Sequence, residues 1–341
     1  MYAAVRRWAI IALVFTFMVN IAGSVVRATG AGMGCPDWPQ CFGYLIPPTD
    51  VQQLTWAPGK VFEDGQMILM NNQFYTAVGQ VECGEFWEES NWEAYTEHDY
   101  AAFNPVHTWT EYINRLIGAF SGLPVLILLG VSIKNRGKGW WNAILSGAVV
   151  LMYGFEAWLG KVVVDGNLVP HHITWHLLGS VVIVLLLIAL IARNTEGKYS
   201  YSKVSKGALW VLLVITVVQF ILGTSLREAV DAYVATDPEL ARFEWLGQLD
   251  KWTVNLHRSF SWVVLVAASV LMYASRYKGD VIPGLQALLF GVVLEWLVGV
   301  ALYFAGLPAA MQPVHLILSV AILASISYPI FLNLRSQPAV S

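Results

Sequence analysis

The sequence is poor in charge, because Asp, Glu, Lys and Arg together make up only 13% of its 341 residues. That is about half the share that is usual in a soluble globular domain. Cysteine is also scarce, with three residues, which excludes a small fold held by several disulfides. The net charge is −3, and without a strongly basic stretch we expect no nucleic-acid partner. Hydrophobic residues reach 57%, a balance that indicates an integral membrane protein.

Eight apolar runs are long enough to cross a hydrocarbon core of about 30 Å, which takes about 20 helical residues. The runs lack the polar and apolar alternation of a barrel strand, so they predict helices. The predicted fold class is an all-α integral membrane protein with eight transmembrane helices. The predicted spans are 8–28, 106–131, 140–163, 170–192, 207–227, 252–274, 282–305 and 311–333.

Most of the lysines and arginines that flank the spans fall on one side, among them Arg6, Arg7 and Arg335 near the two ends of the chain. The first loop on the opposite side is acidic and has Lys60 as its only lysine. The positive-inside rule then predicts a multi-pass protein of a bacterial cytoplasmic (inner) membrane with both termini cytoplasmic. A cleaved signal peptide over 1–28 is the alternative, but this stretch has a full-length counterpart in the fifth span.

That counterpart belongs to an internal repeat. Several positions of the first four spans recur in the last four, and the pairs on the third and fourth spans of each half share one offset, 139 residues. The matching pairs are Gly23 and Gly223, Arg27 and Arg227, Asn114 and His257, Arg115 and Arg258, Glu156 and Glu295, Gly160 and Gly299, and His176 and His315. The repeat predicts two four-helix bundles related by a pseudo-twofold axis. They cover residues 1–195, with a long outer loop over 28–104, and residues 196–341.

Histidine inside a membrane span is costly and usually faces a bound group or a polar partner. His257 and His315 lie on the second and fourth helices of one bundle, and two facing imidazoles can hold haem iron from both sides. The arginines at equivalent positions suit carboxylates such as haem propionates. The alternatives are hydrogen bonds between helices for the histidines, and for the arginines an interfacial position or pairing with Glu111 and Glu228.

The first bundle differs, since Asn114 stands where the second has His257. His176 matches His315, and His172 shares a helix face with His176. His107 lies two turns before Asn114 on the same face. The first half therefore offers a polar site without the symmetrical pair of histidines.

Nearly the whole chain resembles the haem A synthase family. The resemblance is carried by GSVVRATGAGMGCPDWPQCFG at 23–43, by TEYINR at 110–115 against the family's Glu-x-x-His-Arg, and by the three histidines at 176, 257 and 315. It implies an oxidoreductase that converts the C8 methyl group of haem O to the formyl group of haem A for terminal oxidases. It also implies haem b as the cofactor of the C-terminal bundle, haem O as the substrate of the N-terminal bundle, and an essential glutamate, here Glu111.

Site residues follow from the resemblance and the repeat together. The expected residues are His257, His315, Arg227 and Arg258 for haem b, and His176, His107, Asn114, Arg27, Arg115 and His172 for the substrate haem. Asn114 departs from the family motif, and two accounts stay open. In the first, His176 binds the substrate iron alone; in the second, His107, His171 or His172 supplies another ligand. We favour His176 as a ligand with His107 in the site.

Cys35 and Cys41 lie in the first loop, on the predicted oxidising side, where a disulfide can form. It is either a redox entry point or a structural staple, and Cys83 is the odd cysteine. The expected partners are haem O, membrane lipid, an unidentified electron donor, and, left open, a haem O synthase and a second copy of the chain. Two other functions remain as alternatives, a b-type membrane cytochrome and a transporter with parallel repeats.

Overall fold

The computed structural model describes residues 2–96, 103–136, 140–166, 170–237 and 241–336. Eight helices in these ranges are long and apolar enough to cross a membrane, which confirms the predicted fold class. They are α1 (Tyr2–Thr29), α2 (Pro105–Lys134), α3 (Trp141–Asp165), α4 (Pro170–Arg193), α5 (Lys203–Thr236), α7 (Lys251–Lys278), α8 (Leu285–Phe304) and α9 (Met311–Ser336), with a short α6 (Trp245–Gln248) before α7.

Local sequence explains where the long helices begin and end. The side chain of Asn104 accepts hydrogen bonds from the first amides of α2, and Pro105 follows it at the first helical position. Asp250 caps α7 in the same way, and Gly279 ends that helix in the left-handed conformation. The largest departure from the predicted spans is α5, which continues past 227 to Thr236.

The long helices form two rings with one order of contacts. In the first ring α1 packs against α2 and α4, and α3 packs against α2 and α4. In the second ring α5 packs against α7 and α9, and α8 packs against α7 and α9. The rings meet where α9 contacts α1 and α4, through buried aliphatic residues such as Leu187 and Leu323. The pseudo-twofold axis and the division at residue 195 stay predictions.

Residues 30–96, which we call the insert, lie between α1 and α2 and hold five short strands that the sequence analysis did not predict. The strands are β1 (Val61–Phe62), β2 (Met67–Met70), β3 (Gln73–Ala77), β4 (Val81–Glu82) and β5 (Trp92–Ala94). β1 pairs with β4, and β2, β3 and β5 form an antiparallel sheet. Asn71 and Asn72 make the hairpin turn between β2 and β3 with positive φ at both positions.

Candidate functional site: two unequal histidine sites

The second ring encloses a cavity of about 690 Å³ that is lined from α5, α7, α8 and α9. His257 on α7 and His315 on α9 face each other across it, with ring centres 6.4 Å apart and ring planes at 87°. A metal–imidazole bond is about 2 Å long, so two imidazoles bound to one iron in line place their ring centres about 6 Å apart. The spacing of the two rings therefore fits haem iron between them.

Glycines on the neighbouring helices make room for both imidazoles. A Cβ atom at position 223 would lie 2.9 Å from Cε1 of His257, and one at position 299 would lie 3.2 Å from Cε1 of His315. Both distances are shorter than ordinary van der Waals contacts. Gly223 and Gly299 thus hold the imidazoles in place by allowing the helices to approach closely.

Each imidazole of the second ring has a different polar neighbour. Glu295 Oε1 on α8 lies 3.1 Å from Nδ1 of His315. The amide nitrogen of Gln219 on α5 donates to the backbone oxygen of His257 at 3.1 Å and lies 3.3 Å from its Nδ1. A carboxylate at Nδ1 makes an imidazole a stronger electron donor through its other nitrogen. The two sides of the cavity are therefore chemically unequal.

Three arginines line this cavity. Arg227 on α5 donates to the side-chain oxygen of Gln312 at 2.7 Å and pairs with Asp231 at 2.7 Å. Arg258 lies over the ring of Tyr303, with 5.0 Å between the guanidinium carbon and the ring centre. The third is Arg27 of α1, which also pairs with Asp231.

The position of Arg27 differs from the expectation, which assigned it to the substrate site of the first bundle. The structure turns its guanidinium towards the second ring because Asp231 lies there, on the part of α5 that the sequence analysis left out. Asp231 thereby joins Arg27 of the first half to Arg227 of the second.

The first ring repeats half of this arrangement. Glu156 Oε2 on α3 lies 2.7 Å from Nδ1 of His176 on α4, as Glu295 lies beside His315. A Cβ at Gly160 would be 3.7 Å from Cε1 of His176, so this glycine leaves more space than its counterpart Gly299. The His176 side chain is 41% exposed, against 28% for His315. The first-ring histidine is therefore the more accessible of the two.

Asn114 occupies the place in the first ring that His257 has in the second. Its Oδ1 atom is 3.7 Å from the position of a Cβ at Gly23, just as His257 lies against Gly223. That oxygen is buried and has no hydrogen-bond partner among the described residues, and the same holds for Nδ2 of Asn20 on α1. Unpartnered polar atoms are costly in lipid. These two unpartnered atoms are suited to a site that binds a polar ligand when the protein functions.

The other expected histidines of the first half lie farther towards the insert. His172 is on the first turns of α4 and packs against the turn at Gly166 that follows α3. His107 is half-buried in the first turn of α2, where Gly34 of the insert packs against its backbone. No contact in the described part of the chain joins the His107 imidazole to His176.

Glu111 and Arg115 face the insert. Glu111 is buried, pairs with Arg115, and accepts a hydrogen bond from the amide of Cys35 at 2.9 Å. Arg115 also donates to the backbone oxygens of Asp37 at 2.7 Å and Gln40 at 2.8 Å. All of its hydrogen-bond partners among the described residues lie in α2 or the insert, so this arginine differs from Arg258, its counterpart at the cavity of the second ring.

A short turn of the insert closes over this pair. Cys35 and Cys41 form a disulfide, and both residues are fully buried. The Asp37 carboxylate accepts from the amides of Phe42 and Gly43 at 2.6 and 2.8 Å. Burial raises the pKa of that carboxyl, whereas the two amides and Arg115 act to lower it. The free thiol of Cys83 is also buried, and burial raises its pKa.

Sequence reasoning missed two polar partners in α5, Gln219 and Asp231. Asp231 lies four residues after Arg227, a spacing that favours an ion pair on a helix and could have indicated it. Gln219 lies one turn before Gly223, on the face that the repeat had already marked.

The chain matches the COX15-CtaA family, described as cytochrome oxidase assembly proteins, over residues 6–82 and 85–327. It is 26% identical to a heme A synthase of Shewanella oneidensis over 243 residues, which cover 70% of this chain and 62% of that protein. It is 23% identical to a heme A synthase of Rhizorhabdus wittichii, over 95% of this chain and 92% of that protein. A third heme A synthase, of Wolbachia pipientis subsp. Culex pipiens, is 24% identical over 70% of this chain and 80% of its own length.

The match leaves the cytochrome and transporter alternatives without support, and it confirms the resemblance that the sequence motifs indicated. Because the family match runs through both rings and most of the insert, the chain belongs to the COX15-CtaA family of cytochrome oxidase assembly proteins.

Proposed function

We propose that the chain is a haem A synthase, a membrane oxidoreductase that converts the C8 methyl group of haem O to the formyl group of haem A. The observation that carries the proposal is the family match, which runs through both rings and includes relatives named heme A synthase. The two unequal histidine sites supply the second support, because one can hold a cofactor and the other a substrate.

The second ring holds haem b as the resident cofactor. His257 and His315 would hold its iron, and Arg227 and Arg258 would meet its propionates. Arg27, which lines the same cavity, joins them. The bound cofactor supplies one-electron transfer between an electron donor and the first ring. Asp231 orients two of the arginines, and Glu295 orients His315.

The first ring binds haem O. His176 is the iron ligand, and Glu156 fixes its orientation from α3. Asn114 lies opposite and is a poor iron ligand, so the substrate iron would be held by His176 alone. His107 and His172 lie towards the insert, at the rim of this site. Arg115 is held by the backbone of the insert, and its contribution is to fix the insert above the substrate.

Conversion of the methyl group to a formyl group removes four electrons in two successive oxidations, and dioxygen or an oxidised electron carrier must accept these electrons. The second gives a geminal diol, which loses water to form the aldehyde. Glu111 is the proposed catalytic residue because it carries the one buried carboxylate of the described part of α2. It pairs with Arg115, and a negative charge on its carboxylate would stabilise positive charge that develops at the reacting carbon.

Replacement of Glu111 tests this role against a purely structural one. Glu111→Gln preserves the shape and the hydrogen bond from the Cys35 amide but removes the charge. We expect haem A formation to fall by at least about tenfold while bound haem O and the Cys35–Cys41 disulfide persist. Unchanged haem A formation would remove Glu111 from the mechanism. Loss of the disulfide together with activity would assign it to holding the insert.

His107 requires its own test. We expect His107→Ala to lower the amount of haem O that co-purifies and its conversion, since the imidazole lies at the rim of the site. Unchanged turnover would eliminate it, and a matched His172→Ala variant shows whether the other rim histidine replaces it.

The proposed setting is a bacterial inner membrane, with both termini cytoplasmic and the insert on the outer side. The buried disulfide then acts as a staple of the insert, since neither cysteine is exposed to a thiol carrier. Haem O reaches the site from the lipid, and a haem O synthase is the protein partner that would deliver it.

The decisive experiment is pigment extraction from cells that make haem O, with and without this chain. Haem A is expected only when the chain is present, and His176→Ala is the inactive control. Absence of haem A despite a normal haem b spectrum would contradict the synthase proposal and leave an electron-transfer protein.

A further inference from the structure

A hydrophobic turn of the insert, residues 44–48, stands against the lipid-facing side of α2. Leu45 and Ile46 at its tip are 78% and 69% exposed, although both are strongly apolar. Pro47 and Pro48 behind them are buried, so the tip is supported from within the insert. The turn carries no charged side chain between Tyr44 and Thr49. Exposed apolar residues on a rigid support commonly mark an interaction surface.

Two hydrogen bonds fix this turn to α2. The Tyr112 hydroxyl donates to the backbone oxygen of Leu45 at 2.8 Å, and the Trp109 indole donates to the backbone oxygen of Pro48 at 3.3 Å. The two aromatic rings also contact each other edge to face. The turn is thus held at the height of Trp109 and Tyr112 on the helix.

The length of α2 shows how far this turn lies from the hydrocarbon core of the bilayer. Its 30 residues measure about 45 Å, whereas the hydrocarbon core of a bilayer is about 30 Å thick. If the core-spanning part ends near Lys134, it begins about 20 residues earlier, close to Asn114. Trp109 and Tyr112 then lie within about 8 Å of the core, in the headgroup layer where tryptophan and tyrosine concentrate.

The side of α2 below the turn faces lipid. Leu116 and Leu123 follow Trp109 at helical spacing and are 37% and 56% exposed. Tyr112, Ala119 and Leu126 also follow one another at intervals of seven residues, about two helical turns, and Leu126 is 57% exposed. The exposed tip at Leu45 and Ile46 therefore continues the surface that the transmembrane helices present to acyl chains.

We propose that residues 44–48 penetrate the headgroup layer of the bilayer and anchor the insert to the membrane surface. The occupant of this surface is lipid, because it is continuous with the lipid-facing side of α2 and carries no charge that would select a protein partner. The inference concerns the insert alone and does not depend on the proposed synthase activity.

Spin labelling tests the depth directly. A nitroxide is attached at Leu45→Cys, or separately at Ile46→Cys, in the full chain carrying Cys83→Ser, without reductant so that the Cys35–Cys41 disulfide stays closed. The protein is placed in phosphatidylcholine vesicles, and collisions with oxygen, which concentrates in lipid, are compared with collisions with a water-soluble nickel chelate. Leu123→Cys is the lipid reference, and Val78→Cys, 58% exposed on the insert, is the matched water reference.

We expect the ratio of oxygen to nickel collisions at both tip positions to be severalfold higher than at Val78 and to approach that at Leu123. A ratio equal to that at Val78 would overturn the proposal, because the tip would then lie in water. Protection from both reagents would also overturn it, since a second copy or another protein would then cover the turn. Because both side chains are exposed, their substitution leaves the helical fold intact, which circular dichroism verifies.

Discussion

The two rings place the same elements around a central site and differ in what completes it. In the second ring two imidazoles face each other, each tight against a glycine, and three arginines line the cavity. In the first ring the imidazole of His176 is more exposed, and the residue opposite it is Asn114, whose side-chain oxygen has no hydrogen-bond partner among the described residues. A repeat can thus give one half that holds a group permanently and one that can exchange it. The following predictions test that difference.

Removal of an axial imidazole should have the largest effect. We expect His315→Ala to abolish the haem b spectrum of the purified protein, because a single axial bond from His257 remains. His176→Ala is the matched control at the equivalent position of the first ring and should keep that spectrum. Equal loss of haem b in both variants would show that the rings are not divided between cofactor and substrate.

Glycine replacements should show a graded effect on bound haem. Gly223→Ala places a methyl group 2.9 Å from His257, Gly299→Ala places one 3.2 Å from His315, and Gly160→Ala leaves 3.7 Å at His176. Overpacking of this kind costs about 1–3 kcal/mol. We expect the haem-to-protein ratio to fall most for position 223, less for 299 and little for 160. A reversed order would contradict the contact geometry.

Asn114→His should make the first ring more like the second. A second imidazole across from His176 adds an axial bond, and Gly23 leaves space beside position 114. We expect more haem O to co-purify with the variant, measured by extraction and chromatography. Asn114→Ala is the control and should not increase retention. If both variants retain the same amount as the parent chain, position 114 does not face the substrate.

Carboxylate replacement should have the smallest effect. Glu295→Gln weakens the electron donation of His315, so we expect the reduction potential of haem b to rise by an amount on the order of tens of millivolts. Glu156→Gln changes the equivalent partner of His176 and should leave that potential unchanged. A redox titration followed by absorption measures both.

The sequence predicted the helices and the paired site positions because both depend on local patterns. A long apolar run crosses the membrane whatever surrounds it, and a repeated histidine on a repeated helix lies at an equivalent place. The surroundings of Arg27 and Arg115 could not be predicted in this way. Arg27 turns to the second ring because Asp231 lies beyond the apolar part of α5, and Arg115 binds backbone oxygens that carry no sequence signal. The sequence analysis predicted the outer loop but missed its strands, because strands of two to five residues leave little periodicity.

The contacts among Arg27, Asp231 and Arg227 bear on the charge of the cavity in the second ring. Three guanidinium groups line the cavity, and the carboxylates of Asp231 and Glu295 lie beside it, so the arginines outnumber the carboxylates by one. A haem carries two propionates, and these would add negative charge beside the three arginines. Before the cofactor binds, the charges of the arginines repel one another at a place where lipid screens them poorly. Cofactor binding should therefore stabilise the second ring against unfolding. Because Arg27 belongs to α1 of the first ring, the same binding should also stabilise the contact between the two rings.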